Sequence, residues 1–195
     1  MTQPTITAGG FALRPFTPAD IPWVYAVSLD PAVQKYVQIP LPYRMEDADF
    51  FVRDMCIGAW ERRERAEFVV VGGAGERLGR VALGLDGNGA AQVGYWMDPA
   101  ARRRGLATRA LQELCRWGFA ELRLGLIEWR AEVGNVASRR VAEKAGFTVE
   151  AVLRRRLVHR GERVDAWIGS ILPEELAPGG VGEQLLEEFE RSPGF

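Results

Sequence analysis

The sequence contains very little histidine, cysteine and lysine, and these shortages exclude several kinds of site. His159 is the only histidine, so a Ser–His or Cys–His catalytic pair would depend on this one residue. Cys56 and Cys115 lie far apart, without further ligands at metal-binding spacing, which excludes a disulfide framework and argues against a bound metal. Lys35 and Lys144 are the only lysines among 25 cationic residues, so arginine carries nearly all the positive charge.

Long apolar runs and a large net charge are also absent. The formal net charge is −1, so no overall field attracts nucleic acid or a membrane surface. No stretch approaches the roughly 20 apolar residues of a membrane span. The first residues lack the basic and apolar segments of a secretory signal. These features predict a cytoplasmic protein with no nucleic-acid partner and no membrane partner.

The composition is otherwise that of an ordinary globular domain. The 195 residues are 47% hydrophobic and 26% charged, which is enough apolar material for one sizeable core. We predict one domain over residues 1–172 and an acidic tail over residues 173–195. The tail sequence "GEQLLEEFERS" has apolar residues at helical spacing, which predicts a helix packed on the domain or on a second subunit of a homodimer. These apolar residues are Leu185, Leu186 and Phe189.

The hydrophobic period changes along the chain and indicates the order of helices and strands. Alternation with period two in "EFVVVGG", "ERLGRVALGLD" and "AAQVGYWMD" predicts three consecutive strands joined by glycine-rich turns. Helical spacing follows from Gly105 to Phe119 and again in "NVASRRVAEKAGF". After a loose arm of about eight residues, the predicted order is β, α, α, β, β, β, α, β, α, β, β. This order indicates an α/β protein with a mixed sheet.

Three arginines stand directly before a glycine in "DPAARRRGLAT", where a predicted strand has ended and a helix begins. Such a run could bind nucleic acid or only solvate a surface, but its position favours a phosphate site. The first turn of a helix has free backbone N–H groups and the positive end of the helix dipole. Gly105 and Ala107 leave room for an anion, and Thr108 adds a hydroxyl. The Walker and G-x-G-x-x-G motifs are both absent.

The spacing Arg102-x-x-Gly105-x-Ala107 resembles the R/Q-x-x-G-x-G/A signature of the GNAT N-acetyltransferases. The segments "FALRPFTPADI", "GYWMDPAARRRGLAT", "GNVASRRVAEKAGF" and "RGERVDAWIGSIL" occur in the order and spacing of the RimJ/RimL-like branch, which resembles ribosomal-protein N-terminal acetyltransferases. The resemblance covers roughly residues 11–172. It implies the GNAT fold, in which a mostly antiparallel central sheet flanked by helices splays apart at the central strand where the cofactor binds.

The resemblance implies that acetyl-CoA is the cofactor and an amine is the acceptor. By this analogy the motif residue Arg102 begins the cofactor-binding segment, and the diphosphate lies on the backbone N–H groups of the turn that follows. The backbone N–H of Met97, at the end of the splayed strand, would bind the thioester carbonyl and stabilise the oxyanion. The amine would attack the thioester directly in a ternary complex. The residues of the turn are Arg103, Arg104, Gly105, Leu106, Ala107 and Thr108.

The same resemblance assigns Asn135 to the pantetheine arm and Ser138 to the departing sulfur. Both residues also have a structural interpretation, since Asn135 suits a helix N-cap and Ser138 suits a first helical turn. The general base stays open because Gln92 occupies the position where this branch often has an acidic residue. The remaining candidates have no supporting spacing; they are Glu67, Glu132, Glu150, His159 and Asp165.

Three alternatives to a protein N-terminal acetyltransferase follow from the sequence. The first is an enzyme that acetylates small amines, including the aminoglycoside type. The second is a regulatory protein that binds CoA without turnover, which the glutamine at position 92 keeps open and Ser138 argues against. The third is a nucleic-acid binder that uses the arginines at 102–104 and 154–156, and it would require strongly salt-dependent affinity.

Overall fold

In this computed structural model, which describes residues 2–176, one eight-stranded sheet forms the centre of the molecule. Its strand order is β1-β2-β3-β4-β5-β6-β8-β7, and only the β5–β6 pair is parallel among the described strands. The strands are β1 Ile6–Ala8, β2 Phe11–Pro15, β3 Arg65–Gly72, β4 Arg77–Leu85, β5 Ala90–Met97, β6 Leu126–Glu132, β7 Thr148–His159 and β8 Glu162–Ile171.

Helices cover both faces of the sheet, and the alternation of side chains along the strands explains how. Phe68 and Val70 of β3 belong to a core shared with α5 and α6, whereas Val69 packs with the helices that precede β3. The fold class predicted from the sequence is therefore confirmed. The helices are α1 Ile21–Ser28, α2 Pro31–Tyr36, α3 Met45–Phe50 with a π-helical continuation Phe51–Gly58, α4 Ala59–Glu61, α5 Leu106–Glu121 and α6 Val136–Ala145.

The N-terminal segment is ordered, so the prediction of a loose arm of about eight residues was wrong. Ile6 to Ala8 form an edge strand that pairs antiparallel with β2, through a turn in which Gly10 has φ +85°. Upstream of this strand, the Gln3 side chain donates a hydrogen bond to the Glu67 carbonyl at 2.8 Å. The strand has only three residues, too few for an alternating pattern to reveal it.

The predicted tail helix lies outside the described residues. The last described residues, Pro173 to Leu176, form a short 3₁₀ turn in which the Glu175 carboxylate accepts a hydrogen bond from the Leu172 N–H. Leu176 packs against the core shared with α5 and α6. No helix in residues 2–176 is long and apolar enough to cross a membrane.

Both cysteines are buried thiols without a nucleophilic role. Cys56 and Cys115 are 1% and 0% exposed, and neither forms a disulfide. Burial is the main cause that raises the pKa of each thiol well above its ordinary value. A buried thiol that keeps its proton is a poor nucleophile, so both residues act as small apolar core residues.

Candidate functional site

An opening in the sheet between β5 and β6 is the central feature of the site. The two strands pair in parallel from Ala90–Leu126 to Val93–Trp129 and then separate. Beyond that point β5 continues to pair with β4, while β6 continues to pair with β8. A gap therefore opens inside an otherwise continuous sheet, and its two edges carry backbone groups without an interstrand partner.

The hydrogen-bond register determines which groups face this opening. The Asp98 N–H bonds to the Leu78 carbonyl at 3.0 Å, and hydrogen-bonded positions alternate along an antiparallel pair. Tyr95 and Met97 consequently direct their N–H and C=O groups away from β4 and toward the opening. The sequence predicted this position for Met97. Its carbonyl accepts a hydrogen bond from Arg102 Nε at 3.1 Å.

The turn between β5 and α5 presents backbone donors to the solvent. Arg103 and Gly105 both adopt left-handed conformations, with φ +62° and +71°, which curl the chain before the helix. The Arg109 N–H makes the bond to the Gly105 carbonyl at 3.2 Å. The N–H groups of Leu106, Ala107 and Thr108 precede this first intrahelical hydrogen bond, so they have no acceptor inside the helix. These donors at the positive end of a 16-residue helix can bind an anion.

The three arginines before Gly105 have different environments. The Arg102 guanidinium bonds to the Met97 carbonyl and, at 2.7 Å, to the Asp30 carboxylate. Asp30 also caps α2 by accepting from the N–H groups of residues 32 and 33, and the hydrogen bond from Arg102 lowers the pKa of Asp30. Arg103 and Arg104 are exposed. Arg102, the arginine of the motif, therefore connects the turn to α2, while Arg103 and Arg104 are available to a ligand.

Ser138 lies on the helix-covered side of the opening, in the first turn of α6. Asn135 caps this helix, since its side-chain oxygen accepts from the Ser138 N–H at 3.2 Å. The Ser138 hydroxyl lies 3.0 Å from the Tyr95 hydroxyl and accepts from Trp129 Nε1 at 3.1 Å. The Tyr95 hydroxyl donates to the Ser138 carbonyl at 2.8 Å. The capping interpretation of Asn135 is therefore correct, and the structure does not test its role toward pantetheine.

Counting the available protons shows which group donates each hydrogen bond in this network. Tyr95 uses its one hydroxyl proton on the Ser138 carbonyl, and Trp129 can only donate. The Ser138 hydroxyl then donates to the Tyr95 oxygen. Burial raises the pKa of Tyr95 to about 12, so the phenol stays protonated at neutral pH. The sequence analysis missed Tyr95 and Trp129, although period-two alternation placed both on the core face of their strands.

The opposite face of the sheet carries the polar groups of β6. Glu128, Arg130 and Glu132 alternate along this strand with core residues that face α5 and α6. Trp96, on the same face of β5, contacts Trp23 of α1 with ring centroids 5.1 Å apart. A cavity of about 610 Å³ on this face is lined by Gly94 and by polar residues that include Arg65, Gln92, Glu128 and Arg130. This cavity lies beside the start of the opening.

Three of the candidate bases are engaged in structural contacts. Glu67 is 1% exposed, and its two oxygens accept from the guanidinium groups of Arg65 and Arg80 at 2.6 to 2.8 Å. The Asp165 carboxylate accepts from the Arg155 N–H at a bulge of β7, and Glu150 accepts from the Ser170 hydroxyl.

Glu132 and His159 form a pair, since Glu132 Oε2 lies 2.6 Å from His159 Nδ1. Glu132 lies at the end of β6 and His159 at the end of β7. The fold thus brings together two of the five candidate bases that had no supporting spacing in the sequence.

The comparisons with known proteins agree with this architecture. The model of the acetyltransferase (GNAT) domain family matches residues 11–148. A relative from Bacillus licheniformis, the uncharacterised N-acetyltransferase p20, is 27% identical over 76% of this chain and 84% of its own length. The solved structure of a GNAT acetyltransferase from Bacillus anthracis is 27% identical, with a TM-score of 0.78 over 88% of this chain and 99% of its own.

A second solved structure shares the fold at lower identity. RimL, the ribosomal L7/L12 alpha-N-protein acetyltransferase, is 20% identical, with a TM-score of 0.79 over 87% of this chain and 94% of its own. A mixed sheet that opens beside a helix start with free N–H donors is therefore the frame of an acyl-transferring enzyme. The chain belongs to the GNAT acetyltransferase family, and it is an N-acetyltransferase.

The double contact of Arg102 predicts that the three arginines respond differently to substitution. Arg102→Ala should lower the free energy of unfolding by about 1–3 kcal/mol, because two charge-assisted hydrogen bonds are lost and the Asp30 carboxylate loses its cationic partner. Arg103→Ala and Arg104→Ala should change it by less than about 0.5 kcal/mol, since both side chains are exposed. Urea unfolding of the three variants checks this. Equal stability of all three would contradict the linking role of Arg102.

Proposed function

We propose that this enzyme transfers the acetyl group of acetyl-CoA to a primary amine, on a peptide N-terminus or a small molecule, by direct attack in a ternary complex. The observation that carries the proposal is the opening between β5 and β6, which leads directly to the N–H donors at the start of α5. RimL has been solved in complex with CoA, and a spermidine N-acetyltransferase of the same fold with CoA and spermine.

The residues present fit the nucleotide part of acetyl-CoA. The diphosphate would lie on the N–H groups from Arg103 to Thr108, with the two exposed arginines beside it. An added Cβ at Gly105 would meet no protein atom within 4 Å, so this space is open to a ligand. The pantetheine arm would follow the unpaired edge of Tyr95 and Met97 and pair with it as a neighbouring strand does.

Each part of the opening has a task in the transfer. Acetyl-CoA supplies the thioester, whose carbonyl carbon forms a bond to the amine nitrogen as its bond to sulfur breaks. The Met97 N–H stabilises the charge that develops on the carbonyl oxygen. The hydroxyl groups of Ser138 and Tyr95 stand on the helix-covered side, where the thiolate departs. The acceptor enters from the opposite face, where the cavity beside Gly94 and Arg130 leaves room for it.

The proposed diphosphate site predicts a specific effect of Gly105→Glu. The change adds bulk and negative charge where the anion approaches, so CoA affinity should fall by at least about tenfold, or about 1.4 kcal/mol. Gly87→Glu is the matched control, because Gly87 also has positive φ, is exposed and has no atom near an added Cβ. Calorimetric titration with CoA decides, and equal losses in both variants would place the nucleotide elsewhere.

Two variants of the hydroxyl network test which hydroxyl group protonates the departing sulfur. Ser138→Ala should lower kcat by about 10²-fold or more and leave acetyl-CoA affinity nearly unchanged, because the effect belongs to the transition state. It should also cost about 1–3 kcal/mol of stability, since Trp129 Nε1 loses its acceptor. Tyr95→Phe keeps that acceptor and serves as the comparison.

The kcat values and stabilities of the two variants show whether the serine hydroxyl, the phenol or neither protonates the thiolate. A larger kcat loss in Tyr95→Phe than in Ser138→Ala would make the phenol, rather than the serine hydroxyl, the group that protonates the thiolate. Normal kcat in both, with lowered melting temperature, would leave the network a structural role only.

The acceptor class can be tested by thiol release from acetyl-CoA with a panel of amines. At pH 7.5 an α-amine with a pKa near 8 has a neutral fraction about 10²-fold larger than a lysine with a pKa near 10.4. We therefore expect a free N-terminal peptide to exceed an N-blocked lysine peptide in kcat/KM by at least about tenfold. The panel should include spermidine and an aminoglycoside. A chain that binds CoA but acetylates none of these would be the regulatory protein without turnover.

A further inference from the structure

The only histidine of the chain is held against a carboxylate at the end of β6, two residues past Arg130, which lines the proposed acceptor cavity. His159 Nδ1 lies 2.6 Å from Glu132 Oε2, and the side chains are 13% and 29% exposed. His159 Nε2 is buried and has no hydrogen-bond partner in residues 2–176. A buried polar nitrogen without a partner is costly, which is a reason to ask what it binds during function.

The contact with Glu132 determines which nitrogen of the neutral ring carries the proton. A carboxylate only accepts hydrogen bonds, so Nδ1 is the protonated nitrogen and Nε2 keeps a lone pair. This is the arrangement that a general base requires, with the carboxylate orienting the ring and stabilising the cation that forms. The lone pair of Nε2 is therefore not used by any hydrogen bond within residues 2–176.

The pair lies beside the opening and on the side opposite the Ser138 network. Glu132 is three residues beyond Trp129, the last residue of β6 that pairs with β5. Alternation along β6 directs Trp129 toward Ser138 and Glu132 toward the opposite face. A thioester carbonyl in the opening would thus have the hydroxyl groups on one side and the imidazole pair on the other.

Residues of α2 and of the loop after it contact the β7–β8 hairpin and the loop after β6, next to His159. The Gln38 side chain donates to the Val158 carbonyl, and the Arg160 guanidinium donates to the Gln34 carbonyl. The Tyr36 hydroxyl lies 3.4 Å from the Gly134 carbonyl, in the loop after β6. These contacts join α2 and the loops after α2 and β6 to the hairpin tip that carries His159.

The other charged groups near the pair are engaged elsewhere or face solvent. On β6, Arg130 bonds to Glu128 at 2.7 Å. On β8, Arg163 donates to the Arg155 carbonyl, and Glu162, opposite His159 in the hairpin, is exposed. From α2, the Lys35 ammonium lies over the Tyr36 ring. Glu132 is consequently the carboxylate that acts directly on the imidazole.

We infer that His159, oriented by Glu132, is the general base that takes the proton of the acceptor amine. The inference rests on the proposed transfer from acetyl-CoA. As the amine nitrogen bonds to the carbonyl carbon, its N–H bond breaks and the proton goes to Nε2. The C–S bond breaks, and the thiolate takes a proton from the Ser138–Tyr95 hydroxyl pair, which then regains one from water. His159 later releases its proton to water, so protons and electrons balance. Glu132 is a positioning residue.

The test is the pH dependence of kcat, with acetyl-CoA and the better of two acceptors, a tetrapeptide with a free N-terminal serine or spermidine. A base must be unprotonated to act, so wild-type kcat should fall as the pH is lowered. His159→Gln should lower kcat at pH 7.5 by about 10²-fold and remove this fall. Glu132→Gln should lower kcat about tenfold and retain the fall of kcat at low pH.

Two controls separate this role from a structural one. Glu162→Gln removes the same charge from the exposed position opposite His159, and it should leave kcat and the profile unchanged. CoA affinity and melting temperature, measured on every variant, show whether the fold and cofactor site persist. Because His159 is the only histidine, its imidazole ¹⁵N signals need no assignment, and they should report a proton on Nδ1 in the neutral form.

The outcomes distinguish the inference from the function on which it rests. Wild-type turnover with an unchanged kcat profile in His159→Gln overturns the base assignment and leaves the transfer reaction standing. A proton found on Nε2 rather than Nδ1 overturns it independently of any rate measurement. Absence of wild-type turnover with both acceptors overturns the proposed function and the inference together.

Discussion

The site depends on the end of hydrogen bonding between β5 and β6 after Val93 and Trp129. Backbone N–H and C=O groups are almost always paired in folded proteins, so an interior strand that gives up a partner needs another one. On β5 the groups without an interstrand partner belong to Tyr95 and Met97, of which the Met97 carbonyl accepts from Arg102, and a ligand with its own amide groups can pair with the others. The opening is thus both a gap in the sheet and a template for an extended ligand.

The two sides of this opening offer different chemistry because strand residues alternate between faces. Toward α5 and α6, three aromatic or hydroxyl side chains form a closed hydrogen-bond network around Ser138. Toward the N-terminal helices, the end of β6 presents Glu132 and its histidine partner. In the proposed transfer, strand alternation would therefore place the proton donors and the proton acceptor on opposite sides of the opening.

Local signals predicted every strand except β1, the long helix and the turn at Gly105, since each is encoded by spacing over a short stretch. The same signals could not reveal Tyr95, Trp129 or the pairing of Glu132 with His159. Those contacts join residues far apart in the sequence, and they exist only because α6 docks on the sheet and the hairpin tip folds over β6. Arg102 shows the intermediate case: the motif identified the position, but its contact with Asp30 required the fold.

The Tyr95 side chain also sets the distance between β5 and the first turn of α6. Where strands are paired, main-chain hydrogen bonds hold them about 4.8 Å apart. Past Val93 the neighbour of β5 on this side is instead the first turn of α6, reached through the phenol that bonds to Ser138. The clearance at that point is fixed by the length of one aromatic side chain. A change at this one position would therefore alter the spacing between β5 and α6, while the hydrogen-bond register of the paired strands stayed the same.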